Sequence, residues 1–171
     1  MISIRDRREL VEKLAESRQA LLQGTAALPA QRLTEPWKAG DRSPMAMLLH
    51  IITTERMYRD QWGKRARDEE APDLAQNSAV IQVIDPTFAE ANRMTLDALM
   101  RNLREEREKT LAFVAETSDG EFDRVGRNSL FGDLTLLQYL KSLYRHDLMH
   151  VDEMAGREVR YKVTTKDGRR L

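Results

Sequence analysis

Apolar side chains recur at helical spacing in four segments of the sequence, and this pattern limits the fold more than any other feature. The segments cover about residues 6–27, 44–67, 87–118 and 135–156. In each segment, apolar residues three and four positions apart form one stripe, and charged residues cover the remaining face. Four amphipathic helices of this length predict an all-α fold, a four-helix bundle in which the stripes pack together.

Helix-starting signals stand at three of the four predicted N-termini. Ser43 precedes Pro44; the Ser oxygen can accept from an otherwise unpaired backbone N–H, and Pro suits the first helical position. Residues 87–90 (T-x-x-E) and 135–138 (T-x-x-Q) match the capping box. Gly156 suits the backbone conformation that follows a helix C-terminus. These signals predict where helices two, three and four begin and where the last one ends.

The links between the helices indicate the topology. About 15 residues separate helices one and two, and about 20 separate helices two and three. An antiparallel helical hairpin needs only about 2–8 residues. The second link is therefore long enough to cross back along the bundle, which would make helices two and three parallel and the order up-down-down-up. A short helix inside the link is the alternative explanation of its length.

Length and charge set the domain organisation. A chain of 171 residues fits one domain. We expect residues 1–156 to form the bundle and residues 157–171 to form a basic C-terminal tail, frayed or with one short strand. The formal net charge is zero, so we expect no nucleic-acid partner and no binding to anionic membranes.

Several function classes are excluded by composition. The sequence contains no cysteine, which excludes disulfides, thiolate metal ligands, iron–sulfur clusters and cysteine nucleophiles. The longest apolar stretch, residues 45–52, is far too short to cross a membrane. The first ten residues lack the apolar region of a secretory signal, so we expect a cytoplasmic protein.

The three histidines of the chain are His50, His146 and His150. Two of them are four residues apart on helix four, so their side chains share one face and can reach one metal ion. His50 lies two turns into helix two and can join them only if helices two and four are antiparallel, as the up-down-down-up order requires. Three imidazoles suit Zn²⁺, Ni²⁺, Fe²⁺ or Co²⁺ and leave a coordination position open. The alternative is a hydrogen-bonded His50 in the core and an exposed pair.

Three carboxylates near the histidines are candidate catalytic residues. Asp147 and Glu153 flank the pair on helix four, and Glu55 follows His50 by five residues. A carboxylate can orient a metal-bound imidazole through its second ring nitrogen, or act as a general base. Each can instead be a solvated or salt-bridged residue.

Two blocks of the sequence resemble the DinB superfamily of DinB/YfiT-like proteins. The first, residues 37–55, has a Trp, a Ser-capped helix, a His in the second turn and a Glu (WKAGDRSPMAMLLHIITTE). The second begins with G-x-x-T at residues 132–135 and continues to His146-x-x-x-His150. The resemblance covers about residues 5–155. At residue 153, where many relatives have Gln, this chain has Glu.

The resemblance implies an up-down-down-up bundle with three histidines on a divalent metal, commonly Ni or Zn, and frequent homodimers. Family members with assigned activity include thiol-dependent S-transferases and a mycothiol-dependent maleylpyruvate isomerase. We therefore expect a metal-dependent enzyme that acts on a small-molecule substrate and activates a low-molecular-weight thiol or water, as an S-transferase or a hydrolase. The alternatives are a non-catalytic metal-binding stress-response protein and a dimeric structural bundle.

Overall fold

The structure is a computed structural model of the chain. It describes residues 3–36, 42–74, 88–91, 93–128, 131–162 and 164–168.

Helices dominate the described part of the chain, which confirms the predicted fold class. The α-helices are α1 (Ile4–Ala26), α2 (Pro44–Arg56), α3 (Lys64–Asp68), α4 (Phe88–Ala91), α5 (Leu96–Glu116) and α6 (Leu136–Met154). A π-helical segment, Met57–Gly63, joins α2 to α3, so one continuous helix covers residues 44–68. Two-residue strands, β1 (Val125–Gly126) and β2 (Leu134–Thr135), pair antiparallel before α6. None of the described helices is both long and apolar enough to span a membrane.

The predicted caps of helices two and four are present. The Ser43 side chain accepts from the Ala46 N–H at 3.2 Å. Thr135 and Gln138 form a reciprocal capping box, with bonds of 3.2 and 2.7 Å. Gly156 follows α6 with a φ of 64°, the left-handed conformation that favours glycine.

Helix three differs from the prediction. The sequence pattern predicted one helix from residue 87, but the described chain has the short α4, a turn, and then α5 from Leu96. Thr95 causes the separation, because its backbone is extended and its side chain caps α5 by accepting from the Ala98 N–H. The capping box predicted for residues 87–90 begins at Thr87, which lies outside the described residues.

Side-chain contacts give the relative directions of the four long helices. Arg7 at the start of α1 contacts the Thr117 carbonyl after α5, and Arg18 contacts the Leu103 carbonyl, so α1 and α5 are antiparallel. The α1 residues 17 and 25 contact Asp147 and Met154 of α6, in the same order along both helices. Helices α1 and α6 are therefore parallel.

The helix at residues 44–68 is antiparallel to α6. His50 near its start meets His146 late in α6, and Trp62 near its end packs on Tyr139 early in α6. The directions of the long helices are thus up, down, down and up, as the histidine positions predicted. The course of the crossover between helices two and three includes residues 75–87, which lie outside the described residues.

Among the described residues, the core has a small apolar cluster around Trp62 and Tyr139 and two larger clusters with a polar layer between them. The end of α1 and the starts of α2 and α5 form one cluster, around Leu21, Ile52 and Leu103. The start of α1, the end of α5 and the start of α6 form the other, around Leu14 and Phe113. Buried polar side chains from all four long helices form the polar layer: Ser17, Arg18, Glu55, Arg107, Thr110 and Asp147.

Part of the predicted basic tail is attached to α6. Asp152, buried near the end of α6, forms ion pairs with Arg157 at 2.9 Å and Arg160 at 2.8 Å. The ring of Tyr161 lies 6.4 Å from that of Tyr144. The described residues just beyond α6 therefore pack along that helix, and no strand is formed by residues 157–162.

Candidate metal centre

The local structure of two helices brings the histidines to one place. The Ser43 cap and Pro44 start α2 so that His50 lies in its second turn. The capping box at Thr135 fixes the start of α6, and the regular helix that follows places His146 and His150 one turn apart. Because the two helices are antiparallel, the early turn of α2 faces the late turns of α6.

The ring nitrogens of the three histidines converge. Nε2 of His146 lies 3.1 Å from Nε2 of His50 and 3.1 Å from Nε2 of His150. Among the described residues, these three form a group whose candidate ligand atoms all lie within 4.8 Å of one another. Ligand nitrogens at 2.0–2.1 Å from a tetrahedral zinc ion lie about 3.3 Å apart. The observed spacing therefore matches that of ligands to a single ion.

The three histidines differ in exposure. His150 is buried, whereas His50 and His146 are partly exposed. His50 and His146 are thus the members of the cluster that solvent contacts.

The protonation states favour metal binding. Burial, the neighbouring His150 and His50, and the positive charges of Arg18 and Arg42 lower the pKa of His146 well below its ordinary value, so its ring is neutral at neutral pH. Nδ1 of His150 lies 2.6 Å from the Glu153 carboxylate. A carboxylate only accepts hydrogen bonds, so His150 carries its proton on Nδ1 and directs the Nε2 lone pair into the cluster.

The three predicted carboxylates occupy two different environments. Glu153 contacts His150 and has a side chain 40% exposed. Glu55 and Asp147 belong to the polar layer, where their side chains are only 1% exposed and accept from two arginines. The structure thus brings Glu153 to the histidines and engages the other two in buried ion pairs.

The ion pairs of the polar layer are extensive. Arg18 donates through Nε and Nη2 to Asp147 at 3.0 and 3.1 Å, and it also pairs with Glu55. Arg107 donates to Asp147 at 3.0 Å and pairs with Glu55 at 2.9 Å. The Thr110 hydroxyl donates to Glu55 at 2.7 Å. For Asp147, burial acts to raise the pKa, but the two guanidinium groups outweigh it and lower the pKa below its usual value.

Sequence reasoning did not identify Arg18 and Arg107. Arg18 lies four residues after Leu14 and three before Leu21, within the apolar stripe of α1. Arg107 likewise follows Leu103 by four residues in α5. A charged residue at a stripe position is a signal of a buried ion pair, because an unpaired charge there would be costly.

Comparisons with known proteins agree with the family and the fold. Residues 13–154 match the DinB superfamily. The chain is structurally similar to YfiT from Bacillus subtilis, described as "a probable metal-dependent hydrolase with an unusual four-helix bundle topology", with a TM-score of 0.63, 15% identity and 92% of each chain covered. It is also similar to a mycothiol-dependent maleylpyruvate isomerase, with a TM-score of 0.70 and 11% identity. That similarity covers 90% of this chain and 63% of the isomerase. A sequence search of curated proteins found no match.

Proposed function

The chain belongs to the DinB superfamily, and on this premise we propose that it is a divalent-metal-dependent enzyme whose ion is held by His50, His146 and His150. The observation that carries the proposal is the convergence of three Nε2 atoms, with His146 3.1 Å from each neighbour. A single N–H on His146 can satisfy only one of those two neighbours. Nε2 of His150 is an acceptor, because its ring proton lies on Nδ1. When Nε2 of His146 is also unprotonated, the two lone pairs face each other at 3.1 Å, an arrangement that a cation between them would stabilise.

The donor set fits a first-row divalent ion. Imidazole nitrogen suits Zn²⁺, Ni²⁺ and Fe²⁺, and the absence of cysteine from the sequence leaves a site with nitrogen and oxygen donors. Held by the three imidazoles, such an ion would supply Lewis-acid activation of a thiol or a water.

The residues around the histidines have distinct tasks. Glu153 accepts a hydrogen bond from the Nδ1–H of His150 and so fixes the tautomer and the ring orientation. The low pKa of His146 keeps its ring neutral, as a ligand must be. With a side chain 40% exposed, Glu153 is also the predicted catalytic carboxylate that a substrate proton can reach.

The proposed reaction is thiol S-transfer or hydrolysis of a small molecule. Both options rest on the family and on the printed descriptions of the two structural relatives, one a probable metal-dependent hydrolase and one a mycothiol-dependent isomerase. Because His50 and His146 are partly exposed, we infer that a substrate would approach the ion from their side. The homodimer and the cytoplasmic location remain predictions from the sequence.

Metal analysis of the purified protein tests the proposal. We expect one Zn²⁺, Ni²⁺ or Fe²⁺ per chain after reconstitution of chelator-treated protein, and no bound metal in His146→Ala. Glu158→Ala is the control, because Glu158 is 89% exposed in the tail and lies away from the histidines in sequence. Equal and negligible metal in all three proteins would overturn the proposal.

An activity screen then separates an enzyme from a metal-binding protein. Metal-loaded protein is incubated with low-molecular-weight thiols and electrophiles, and separately with ester and amide substrates. We expect turnover that is lost in His146→Ala and retained in Glu158→Ala. A stoichiometric metal without turnover of any of these substrates would favour the non-catalytic alternative.

A further inference from the structure

The three-histidine cluster lies across the boundary between two pairs of helices. Helix α1 packs most extensively with α6, and α2 packs most extensively with α5. We call the boundary between these two pairs the seam. His50 comes from the α2–α5 pair, whereas His146 and His150 come from the α1–α6 pair. The spacing of the histidines therefore depends on how closely, and in which register, the two pairs meet.

The polar layer crosses the same seam in both directions. Arg18 of the α1–α6 pair reaches Glu55 and the Leu103 carbonyl, both on the α2–α5 pair. Arg107 of the α2–α5 pair reaches Asp147 and the Leu14 carbonyl, both on the α1–α6 pair. Each guanidinium thus binds a carboxylate and a backbone carbonyl on the opposite side.

The geometry of these contacts suits positioning. A guanidinium is a planar fork with fixed donor directions, so its bonds specify the orientation of the partner as well as its distance. Backbone carbonyls cannot move without moving their helix. A sliding of one helix pair along the other would break the bonds of both arginines at once.

Stability alone does not account for such a layer. Removing two cations and two anions from water is costly, and well-packed apolar side chains of similar volume often stabilise a core as well or better. Apolar packing tolerates small shifts, however, whereas oriented ion pairs select one register.

We propose that Glu55 and Asp147, held by Arg18 and Arg107, are positioning residues that set the register of the seam and thereby the spacing of His50 from His146 and His150. The inference rests on the metal centre proposed above. Glu55 shares α2 with His50, and Asp147 is adjacent to His146 on α6. The polar layer therefore fixes the two metal-binding helices at the level where the histidines meet.

A charge-balanced substitution tests the role. The double variant Glu55→Gln with Arg107→Met removes one anion and one cation of the layer and retains the Arg18–Asp147 pair. The matched control is Glu106→Gln with Arg59→Met. This second ion pair, of 2.9 Å, is also buried, but it joins the π-helical segment to α5.

Binding of Co²⁺ to chelator-treated protein gives two readouts. Competition titration measures affinity, and visible absorption reports the coordination geometry of the ion. We expect the Glu55/Arg107 variant to bind Co²⁺ about tenfold to a hundredfold more weakly than the unsubstituted chain, with a changed absorption spectrum. We expect the Glu106/Arg59 control to stay within about twofold with an unchanged spectrum.

The outcomes separate this inference from the proposed function. If the unsubstituted chain binds no Co²⁺ stoichiometrically, the metal centre itself is wrong. If it binds Co²⁺ and both double variants behave alike, whether unaffected or equally weakened, the positioning role is wrong.

A milder pair of variants decides the question if the Glu55/Arg107 variant does not fold. Thr110 and Thr117 are both buried, and each hydroxyl lies within hydrogen-bonding distance of the carbonyl four residues earlier, but only the Thr110 hydroxyl contacts Glu55. Thr110→Val is therefore expected to weaken Co²⁺ binding and to shift the spectrum, whereas Thr117→Val is not. Identical spectra for these two variants would overturn the inference.

Discussion

Asp147→Asn is the sharpest single test of the polar layer as a buried charge network. The Asp147 carboxylate accepts three bonds from Arg18 and Arg107 at 3.0–3.1 Å and one from Ser17 at 3.3 Å. Asn has nearly the same size and shape. It carries no charge, however, and it turns an NH₂ group toward the guanidinium donors, so two buried cations are left with one anion.

The expected cost follows from this burial. Removing one partner from a buried ion pair destabilises a protein by about 3–5 kcal/mol, because the remaining charge is uncompensated. For a chain of this length, that corresponds to a fall in Tm of about 6–20 °C. The folded-state pKa of Asp147 is lowered, so its contribution is present above the unfolded pKa and is lost as the pH falls. The Asn variant should therefore lose less stability on acidification than the unsubstituted chain.

Urea unfolding followed by circular dichroism at pH 7, with a chelator present, measures this cost without a contribution from metal binding. Asp119→Asn is the control, because Asp119 pairs with Arg7 at 2.8 Å but is 44% exposed, and exposed pairs contribute at most about 1 kcal/mol. A cost below about 1 kcal/mol for Asp147→Asn, with an unchanged m value, would refute the reasoning, since the carboxylate could not then be buried between two arginines.

Four further predictions concern the histidines and the tail. Zn²⁺ or Ni²⁺ at 100 times its Kd should raise the free energy of unfolding by about 2.7 kcal/mol, and His50→Ala should abolish the rise in a thermal melt. The folded state lowers the pKa of His146, so its contribution to the stability of the protein is present above about pH 6.5 and is lost below that pH. Urea unfolding of the metal-free protein at pH values above and below about 6.5 should show this loss of stability, and His146→Gln should reduce it. Glu153→Gln should weaken metal binding about tenfold or more while leaving the stoichiometry unchanged, as measured by competition titration. Asp152→Asn should release Arg157 and Arg160 and accelerate limited trypsin cleavage after these residues, compared with Glu158→Ala.

The positions of the histidines could be predicted because each depends on local rules. A capped helix start and 3.6-residue periodicity place His50 in α2 and the pair on one face of α6. The relative direction of the helices then followed from the requirement that three ligands meet. The break between α4 and α5 was missed because Thr95 competes with the helix as a cap, and the apolar pattern continues through that position.

The roles of the carboxylates could not be predicted from the sequence, because they depend on residues distant in the chain. Glu55 and Asp147 looked equivalent to Glu153, since all three lie within five residues of a histidine. Their environments differ because Arg18 and Arg107 come from the two other long helices. Only the packing of the four helices brings those arginines to the carboxylates. The spacing of residues along one helix does not show which side chains of the other helices they will contact.

Helix geometry explains how one pair of helices serves both the polar layer and the histidine cluster. Asp147 follows His146 by one residue, so its side chain is turned about 100° around α6. Glu55 follows His50 by five residues and is turned about 140° around α2. Each helix can therefore direct an imidazole into the histidine cluster and a carboxylate toward the arginines of the polar layer. Because the same rigid helix carries both groups, a change of register that breaks the ion pairs must also separate the imidazoles. Weakened ion pairs should thus appear first as reduced metal affinity, under conditions in which the bundle remains folded.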